Sequence, residues 1–208
     1  MSASIQLDQA GKRFNSSWIF KNVTYTFDAI NAYVLLGANG SGKSTFLQMI
    51  AGYLMASAGT IQYSIRGKAI GDDQIFKQVS LAAPYLDLID SFTIGELVDF
   101  HFKFKSFVKG VSPDNFLDIL QLDRVKNKPL KTFSSGMRQR VKLALAILSD
   151  TPILLLDEPT SNLDHPSIDW YNNLIASHRA DRLILVCSNS QKHEYSFCNI
   201  ELSMENYK

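Results

Sequence analysis

The segment VLLGANGSGKST, residues 34–45, joins three apolar residues to a glycine-rich loop with the pattern G-x-x-x-x-G-K-S. The apolar residues predict a buried strand, and the residues from Lys43 onward carry apolar side chains at helical spacing. Glycines let the backbone curl so that several N–H groups converge on phosphate oxygens, and the helix that follows adds its positive end. A strand, this loop and a helix in that order predict a phosphate-binding loop.

This loop supplies most of the candidate nucleotide contacts. Lys43 can reach the β- and γ-phosphates and is a candidate catalytic residue, and the Ser44 hydroxyl can bind Mg²⁺. A glycine-rich turn without a ligand is the alternative interpretation. The predicted binding residues are Gly37, Asn39, Gly40, Ser41, Gly42, Lys43, Ser44 and Thr45.

A second motif, ILLLDEP at residues 153–159, argues against that alternative. Its uniformly apolar run predicts a strand covered on both faces of a parallel sheet, and the strand ends in two adjacent acids. Asp157 can hold Mg²⁺ through water, and Glu158 can orient and deprotonate the attacking water. Acids that merely end a strand in solvent are the alternative. Parallel strands present their carboxyl ends at one edge, so both motifs are expected to meet there.

The order of strand-like and helix-like segments predicts an α/β fold of the P-loop NTPase class. We expect a RecA-like mixed or parallel sheet core, an antiparallel β subdomain and an inserted α-helical subdomain. One domain, 1–208, would comprise a nucleotide-binding core at 1–83 and 151–208 and a helical subdomain at 84–150. Strands are predicted at 4–7, 23–27, 33–36, 60–65, 79–82, 153–156, 183–187 and 200–202, and helices at 43–54, 93–107, 113–120, 135–148 and 166–177.

Composition excludes some classes of protein. The chain has 21 Lys and Arg against 20 Asp and Glu, a net charge of +1, which argues against a dedicated nucleic-acid binder. No window approaches the ~18 to 20 apolar residues that cross a bilayer. The two cysteines, Cys187 and Cys198, lie in or beside apolar runs and are predicted to be free thiols.

Between the two motifs lies TFSSGMRQRVKLALAIL, residues 132–148, and here the chain resembles the ATP-binding subunits of ABC transporters. Residues 133–137, FSSGM, resemble the LSGGQ signature of that family and differ from it at three of five positions. Ser134, Ser135 and Gly136 stand at a predicted helix N-terminus, which is a second anion site. The resemblance implies that this signature contacts ATP held by the other subunit of a head-to-tail homodimer or heterodimer.

The resemblance extends over nearly the whole chain and implies further roles. Asp164, in SNLD, matches the D-loop, and Phe14 matches the aromatic residue that stacks on adenine, with Trp18 and Phe20 as weaker candidates. ATP and Mg²⁺ are the implied cofactors. A separate membrane permease, contacted through residues 85–107, is the implied partner, and it would hold a cytoplasmic chain at the inner face of the cell membrane.

Two positions depart from the family pattern. The strand at 183–187 is followed by Ser188 and Asn189, where the family has a switch histidine that contacts the γ-phosphate. Asn189 can donate a hydrogen bond but cannot carry a proton as histidine does. His193 is expected to lie out of register with that position. Pro84 occupies the place of the Q-loop glutamine, and Gln78 lies too early to replace it.

These departures leave three functions open. The first is an ATPase subunit that powers a permease, with Glu158, Lys43 and Asn189 as its catalytic residues. The second is a weakly hydrolysing regulatory subunit that pairs with a competent partner, because loss of one well-placed catalytic donor can cost about a hundredfold in rate. The third is a DNA-clamping head of the SMC type. The nearly neutral net charge and the lack of a long coiled-coil insertion argue against it.

Overall fold

Two β-sheets organise the chain in the computed structural model, which describes residues 3–179 and 181–208. The strands are β1 (Ala3–Phe14), β2 (Ser17–Asp28), β3 (Ala32–Leu36), β4 (Ala58–Ile65), β5 (Lys68–Ile70), β6 (Val79–Ala82), β7 (Ile153–Asp157), β8 (Leu183–Ser188) and β9 (Ile200–Ser203). The helices are α1 (Lys43–Ile50), α2 (Ile75–Gln78), α3 (Ile94–Phe102), α4 (Pro113–Leu120), α5 (Ser135–Leu148) and α6 (His165–His178). Short 3₁₀ turns lie at Asp72–Gln74, Asp123–Val125, Leu130–Thr132, Lys192–Glu194 and Met204–Tyr207.

The larger sheet is parallel and has the order β6-β7-β8-β3-β9. In its register Leu36 lies opposite Ser188, and Asp157 lies opposite Cys187. The ends of β3, β7 and β8 therefore form one edge, which carries the phosphate loop, the two acids and the Ser188 tip. The smaller sheet is antiparallel and has the order β2-β1-β4-β5.

The parallel sheet separates two hydrophobic cores. Successive side chains of β7 point to opposite faces, as a strand requires. Leu154 and Leu156 pack with α5 and α6, whereas Ile153 and Leu155 pack with α1 and the antiparallel sheet. All five residues of β7 are buried, which confirms the interpretation of its apolar run as a strand covered on both faces.

Helix ends follow local signals more closely than apolar spacing does. The predicted cap at Ser112 with Pro113 in the first turn is confirmed, and Thr93 forms a capping box with Glu96. Two predicted helices were too long. The helix predicted to reach residue 54 ends at Ile50, because Gly52 turns the chain with a φ of +79°. The helix predicted to reach 107 ends at Phe102. Of the two aromatic residues that extended its pattern, Phe104 is exposed and Phe107 is buried in the core.

In the part of the chain that the structure describes, no helix is both long enough and apolar enough to cross a membrane. Cys187 and Cys198 are free thiols, as predicted.

Candidate active site

A cavity of about 360 Å³ opens at the carboxyl edge of the parallel sheet. It brings residues of the phosphate loop together with Glu158 from the second motif. Its walls are formed by Ile19, Asn39, Gly40, Gly42, Lys43, Ser44, Thr45 and Glu158. The two motifs therefore share one cavity, as the order of strands predicts.

The curl of the loop depends on glycine at two positions. Gly40 and Gly42 have φ values of +80° and +101°, a region that other residues rarely adopt. A Cβ atom on Gly42 would lie 2.6 Å from Cγ2 of Ile19. Any larger residue there would clash with Ile19 of the antiparallel sheet, so glycine at this position lets the loop pack closely against that sheet.

Lys43 lies inside the loop. Its Nζ donates to the carbonyl oxygens of Gly37 at 2.7 Å and Ala38 at 3.1 Å. Helix α1 begins at Lys43, so the N–H groups of its first turn lack helical acceptors and lie at the cavity wall. The loop thus places one ammonium group and a helix N-terminus beside the cavity, which suits a phosphate.

Three buried oxygen atoms at this edge make no hydrogen bond within the described residues: Oγ of Ser41 and both carboxylate oxygens of Asp157. The Ser44 hydroxyl lies close enough to lower the Asp157 pKa but makes no hydrogen bond of normal geometry with it. Burial, with a smaller contribution from the charges of Glu158 and Glu194, raises the pKa of Asp157 to about 6. A buried carboxylate without partners is costly unless a cation meets it.

Ser44 and Asp157 offer the oxygen ligands that Mg²⁺ prefers. Across residues 3–179 and 181–208, no group of three or more His, Cys, Asp or Glu side chains could hold a metal ion. A hydroxyl and one carboxylate fit an Mg²⁺ ion whose remaining ligands come from phosphate oxygens and water. The residues present therefore fit the predicted metal.

Glu158 has a strained backbone. Its φ of +43° is a left-handed conformation, which costs a non-glycine residue about 1–3 kcal/mol. Its N–H donates to the Cys187 carbonyl at 2.9 Å, and its own carbonyl accepts from the Ser161 N–H at 3.0 Å. These bonds hold the turn in which the half-buried Glu158 side chain reaches the cavity.

The signature residues stand apart from this cavity in the same chain. Ser134 caps α5 by accepting from the Met137 N–H at 3.2 Å, and Ser134 and Ser135 are exposed. Gly136 packs on the D-loop, since a Cβ atom there would lie 2.8 Å from the carbonyl oxygen of Asn162. None of the three residues lines the cavity, so one chain does not bring its own signature to its own phosphate loop.

The other predicted site residues do not line the cavity. Phe14 ends β1 and is 48% exposed, with Nζ of Lys12 5.2 Å from its ring centre. Phe20 is buried against Phe46, so its candidacy for adenine stacking is wrong. Asp164 caps α6 by accepting from the Ser167 N–H, which lowers the pKa of that carboxyl group. Asn189 is exposed directly after β8.

The Q-loop position has an unexpected neighbour. The Pro84 carbonyl accepts from Nζ of Lys142 on α5 at 3.0 Å. Tyr85 follows it, and the pKa of its hydroxyl group is raised by burial and by the charge of Asp157, while a hydrogen bond with Gln48 opposes the rise. Sequence reasoning missed Tyr85 and Ile19 as neighbours of the site, because neither stands in a motif.

Comparison with known proteins agrees with this geometry. The family model described as "ABC transporter" matches residues 20–161. The uncharacterised ABC transporter ATP-binding protein YybJ of Bacillus subtilis is 31% identical over 93% of this chain and 88% of its own length. The Fe(3+) ions import ATP-binding protein FbpC of Fusobacterium nucleatum is 32% identical over 79% of this chain, but only 45% of FbpC is covered.

Solved structures show the same fold. A putative ABC transporter ATP-binding protein from Pyrococcus furiosus superposes with a TM-score of 0.79 at 20% identity, and 99% of each chain is covered. The dimeric structure of MJ0796, a bacterial ABC transporter cassette, gives 0.79 at 23% identity over 96% of this chain and 94% of that one. With the family model covering most of its length, this chain belongs to the ABC transporter family and is an ATPase cassette of that family.

Proposed function

We propose that this chain binds ATP with Mg²⁺ and hydrolyses it to drive a separate membrane permease. One observation carries the proposal: a single cavity holds the phosphate loop, with Lys43 and Ser44, and the candidate base Glu158, while Asp157 lies buried beside it. Lys43 and the N-terminus of α1 would hold the phosphates. Glu158 would accept a proton from the attacking water.

The metal role follows from the unpaired oxygen atoms. The Ser44 hydroxyl would hold Mg²⁺ directly, and Asp157 would hold it through water. When bound, the ion would neutralise charge that develops on the phosphates. The exposed ring of Phe14 would stack on the adenine, and Asn189 would offer its amide N–H to the γ-phosphate.

The second half of the site would come from another chain. Ser134, Ser135 and Gly136 stand exposed or half-buried at the N-terminus of α5, away from the cavity of their own chain. In a head-to-tail dimer this helix end would meet the phosphates that the partner holds, with Asp164 at the dimer seam. Each ATP would then lie between a phosphate loop and a signature.

A mixing experiment tests this arrangement. Lys43→Ala removes the ammonium group from one phosphate loop. Ser135→Glu places a negative charge toward the partner's phosphates and leaves α5 stable, because an acid in the first helical turn is favourable. In a dimer with one chain of each variant, the intact phosphate loop of the Ser135→Glu chain meets the intact signature of the Lys43→Ala chain, so one of the two composite sites is intact. We expect each variant alone to be inactive and an equal mixture to recover about a quarter of the wild-type turnover.

The outcome separates the two kinds of dimer. Steady-state phosphate release from each variant and from the mixture is the measurement. No recovery from a mixture of two well-folded variants, beside an active wild type, contradicts the head-to-tail homodimer. A wild-type chain that binds ATP but turns over only when a different subunit is added indicates a heterodimer.

We propose the permease surface at residues 85–107, where an apolar groove of about 310 Å³ lies between α3 and α5. Ile89, Phe100 and Phe104 are 37%, 41% and 64% exposed, and Tyr53 on the rim is 57% exposed. Lys105 and Lys142 add positive charge at the groove. Clustered exposed aromatic side chains of this kind typically mark a protein interface.

One substitution separates docking from catalysis. Phe104→Glu puts a charge on an exposed ring of the groove, so the fold and the cavity should be unaffected. We expect the fraction of chain that sediments with native membranes to fall about tenfold, which is the usual scale for loss of one aromatic contact. Phosphate release by the purified chain should stay within about twofold of wild type.

Ile30→Glu is the matched control, since Ile30 is 89% exposed and lies outside this groove. Equal sedimentation of the Phe104→Glu and Ile30→Glu chains contradicts a permease surface at this groove.

The second candidate function is a weakly hydrolysing regulatory subunit. It is favoured by Asn189 and Pro84, which stand where the family has two groups that contact the γ-phosphate, its metal or its water. The carbonyl of Pro84 is engaged by Lys142, and its side chain offers no ligand. Turnover of the wild-type chain beside a Glu158 variant distinguishes the two functions.

A further inference from the structure

A buried glutamate lies behind the candidate base. Glu194, in the 3₁₀ turn after β8, is 3% exposed. Its Oε1 accepts from the N–H of Thr160 at 3.2 Å and from the hydroxyl of Thr160 at 2.9 Å, and its Oε2 accepts from the hydroxyl of Ser188. Each partner donates to it, which is the pattern of a carboxylate.

This carboxylate ties together the two loops that leave neighbouring strands at the catalytic edge. Thr160 stands two residues after Glu158 and begins the loop that leads to the D-loop. Ser188 ends β8 and directly precedes Asn189. Its Oγ also accepts from the N–H of Gln191 at 3.1 Å. Glu194 is therefore a clamp between the loop that holds the base and the loop that holds Asn189.

Thr160 is held from a second side. Nε2 of His193 lies 2.9 Å from Oγ of Thr160. Because the single hydroxyl proton of Thr160 goes to Glu194, that ring nitrogen must donate, so His193 carries a proton on Nε2. The hydroxyl of Tyr171 donates to the backbone carbonyl of Glu194 at 2.8 Å and fixes the turn to α6.

The clamp explains a conformation that the local sequence does not. Glu158 has a φ of +43°, and a strained non-glycine residue persists where surrounding contacts over-determine it. The Glu158 turn is closed by the N–H bond to Cys187 and the carbonyl bond from Ser161. Thr160 lies inside that turn, so its two bonds to Glu194 prevent the turn from relaxing.

We propose that Glu194 is a positioning residue for hydrolysis, which acts through Thr160 to fix the direction of the Glu158 carboxylate and through Ser188 to fix the Asn189 loop. The proposal rests on the proposed function, because Glu158 must be the base for its direction to matter. Within this chain the clamp supplies rigidity at the edge where the switch histidine is replaced by asparagine.

The test uses Thr160, because removing Glu194 would leave several donors buried and unpaired. Thr160→Val keeps the shape and removes the hydroxyl bond, and Thr160→Ser restores it. We expect Thr160→Val to lower kcat about tenfold and to leave KM for Mg²⁺-ATP within about twofold, because positioning acts in the transition state. Thr160→Ser should recover most of the lost kcat.

Thr151→Val is the matched control. Thr151 is also buried, and its hydroxyl bonds Ser80 and Arg182 at the opposite end of β7. This variant should lose stability and keep its kcat. A second readout is amide hydrogen exchange in residues 158–164 without nucleotide, which should be faster by about tenfold in Thr160→Val and unchanged in Thr151→Val.

The outcomes are distinct from those of the proposed function. An unchanged kcat in Thr160→Val overturns the inference, as does an equal loss of kcat in Thr151→Val. If the wild-type chain has no turnover, the proposed hydrolysis has failed, and the exchange measurement alone decides whether the clamp holds the Glu158 turn. Exchange equal to wild type in Thr160→Val then overturns the clamp.

Discussion

A Glu158→Gln chain is expected to bind ATP as the wild type does and to release phosphate about a hundredfold to a thousandfold more slowly. Glutamine has the same shape as glutamate but cannot accept a proton from water, and a positioned general base contributes about 10²–10⁴ in rate. The left-handed turn at Glu158 uses backbone atoms only, so the substitution should leave it intact. Phosphate release and ATP affinity, measured on both chains, check the expectation.

The same variant should accumulate as an ATP-bound dimer. If ATP closes two chains over composite sites and hydrolysis reopens them, blocking hydrolysis traps the closed state. Gel filtration with Mg²⁺-ATP should show a dimer for Glu158→Gln and mainly monomer for wild type. Glu201→Gln is the control, because Glu201 is an exposed residue of β9 outside the cavity.

Two contrary results have different meanings. Equal turnover in Glu158→Gln and wild type would exclude Glu158 as the base. If neither chain releases phosphate although both still bind ATP, the regulatory candidate is favoured, and Asn189 and Pro84 become the positions to test. In that case an added competent subunit, and not this chain's own base, would supply hydrolysis.

The parallel sheet could be predicted because its central strands are continuous apolar runs. β3, β7 and β8 are buried on both faces, and each delivers its polar tip to the same edge. Of the antiparallel strands, β4 was predicted to within two residues, whereas β1 and β2 were predicted far too short. β1 and β2 each span 12 residues, but register shifts between Leu7 and Arg13 break the alternation that marks a strand in sequence.

Some residues of the candidate site could likewise be predicted from the sequence, and others could not. The phosphate loop and the two acids could be located because each is a contiguous motif at a strand end. Glu194 could not, since its partners Thr160 and Ser188 become neighbours only when β7 and β8 pair. Phe20 was misjudged because strand alternation turns it into the core, while the adjacent Ile19 faces the cavity.

An Asp157→Asn chain should be more stable than wild type without nucleotide, yet nearly inactive. Burial raises the pKa of Asp157 to about 6, above the ordinary value of 3.8. Between those two pH values the folded chain keeps a proton that the unfolded chain releases. The stability that Asp157 contributes is therefore present below about pH 4 and lost as pH rises through about 6.

Above pH 6 the ionised carboxylate is buried, with both oxygens unpaired among the described residues. Asparagine removes that charge, so urea unfolding at pH 7.5 should show a gain of about 1–3 kcal/mol, from a shift of roughly two pKa units. The gain should shrink toward zero at pH 4, where Asp157 is protonated. Asp169→Asn, at an exposed position on α6, should show neither the gain nor its pH dependence.

With Mg²⁺ and ATP bound, wild type should be more stable than Asp157→Asn. A divalent cation against Asp157 supplies the missing partner, so Mg²⁺ added with ATP should stabilise wild type more than ATP alone does. In Asp157→Asn the increment from Mg²⁺ should vanish, and phosphate release should fall about a hundredfold, since the amide binds the cation weakly. An Asp157→Asn chain that is less stable than wild type at pH 7.5, or that keeps its Mg²⁺ increment, would contradict this account. A more stable and inactive chain would mean that the fold tolerates a destabilising buried charge at this edge because the metal requires it.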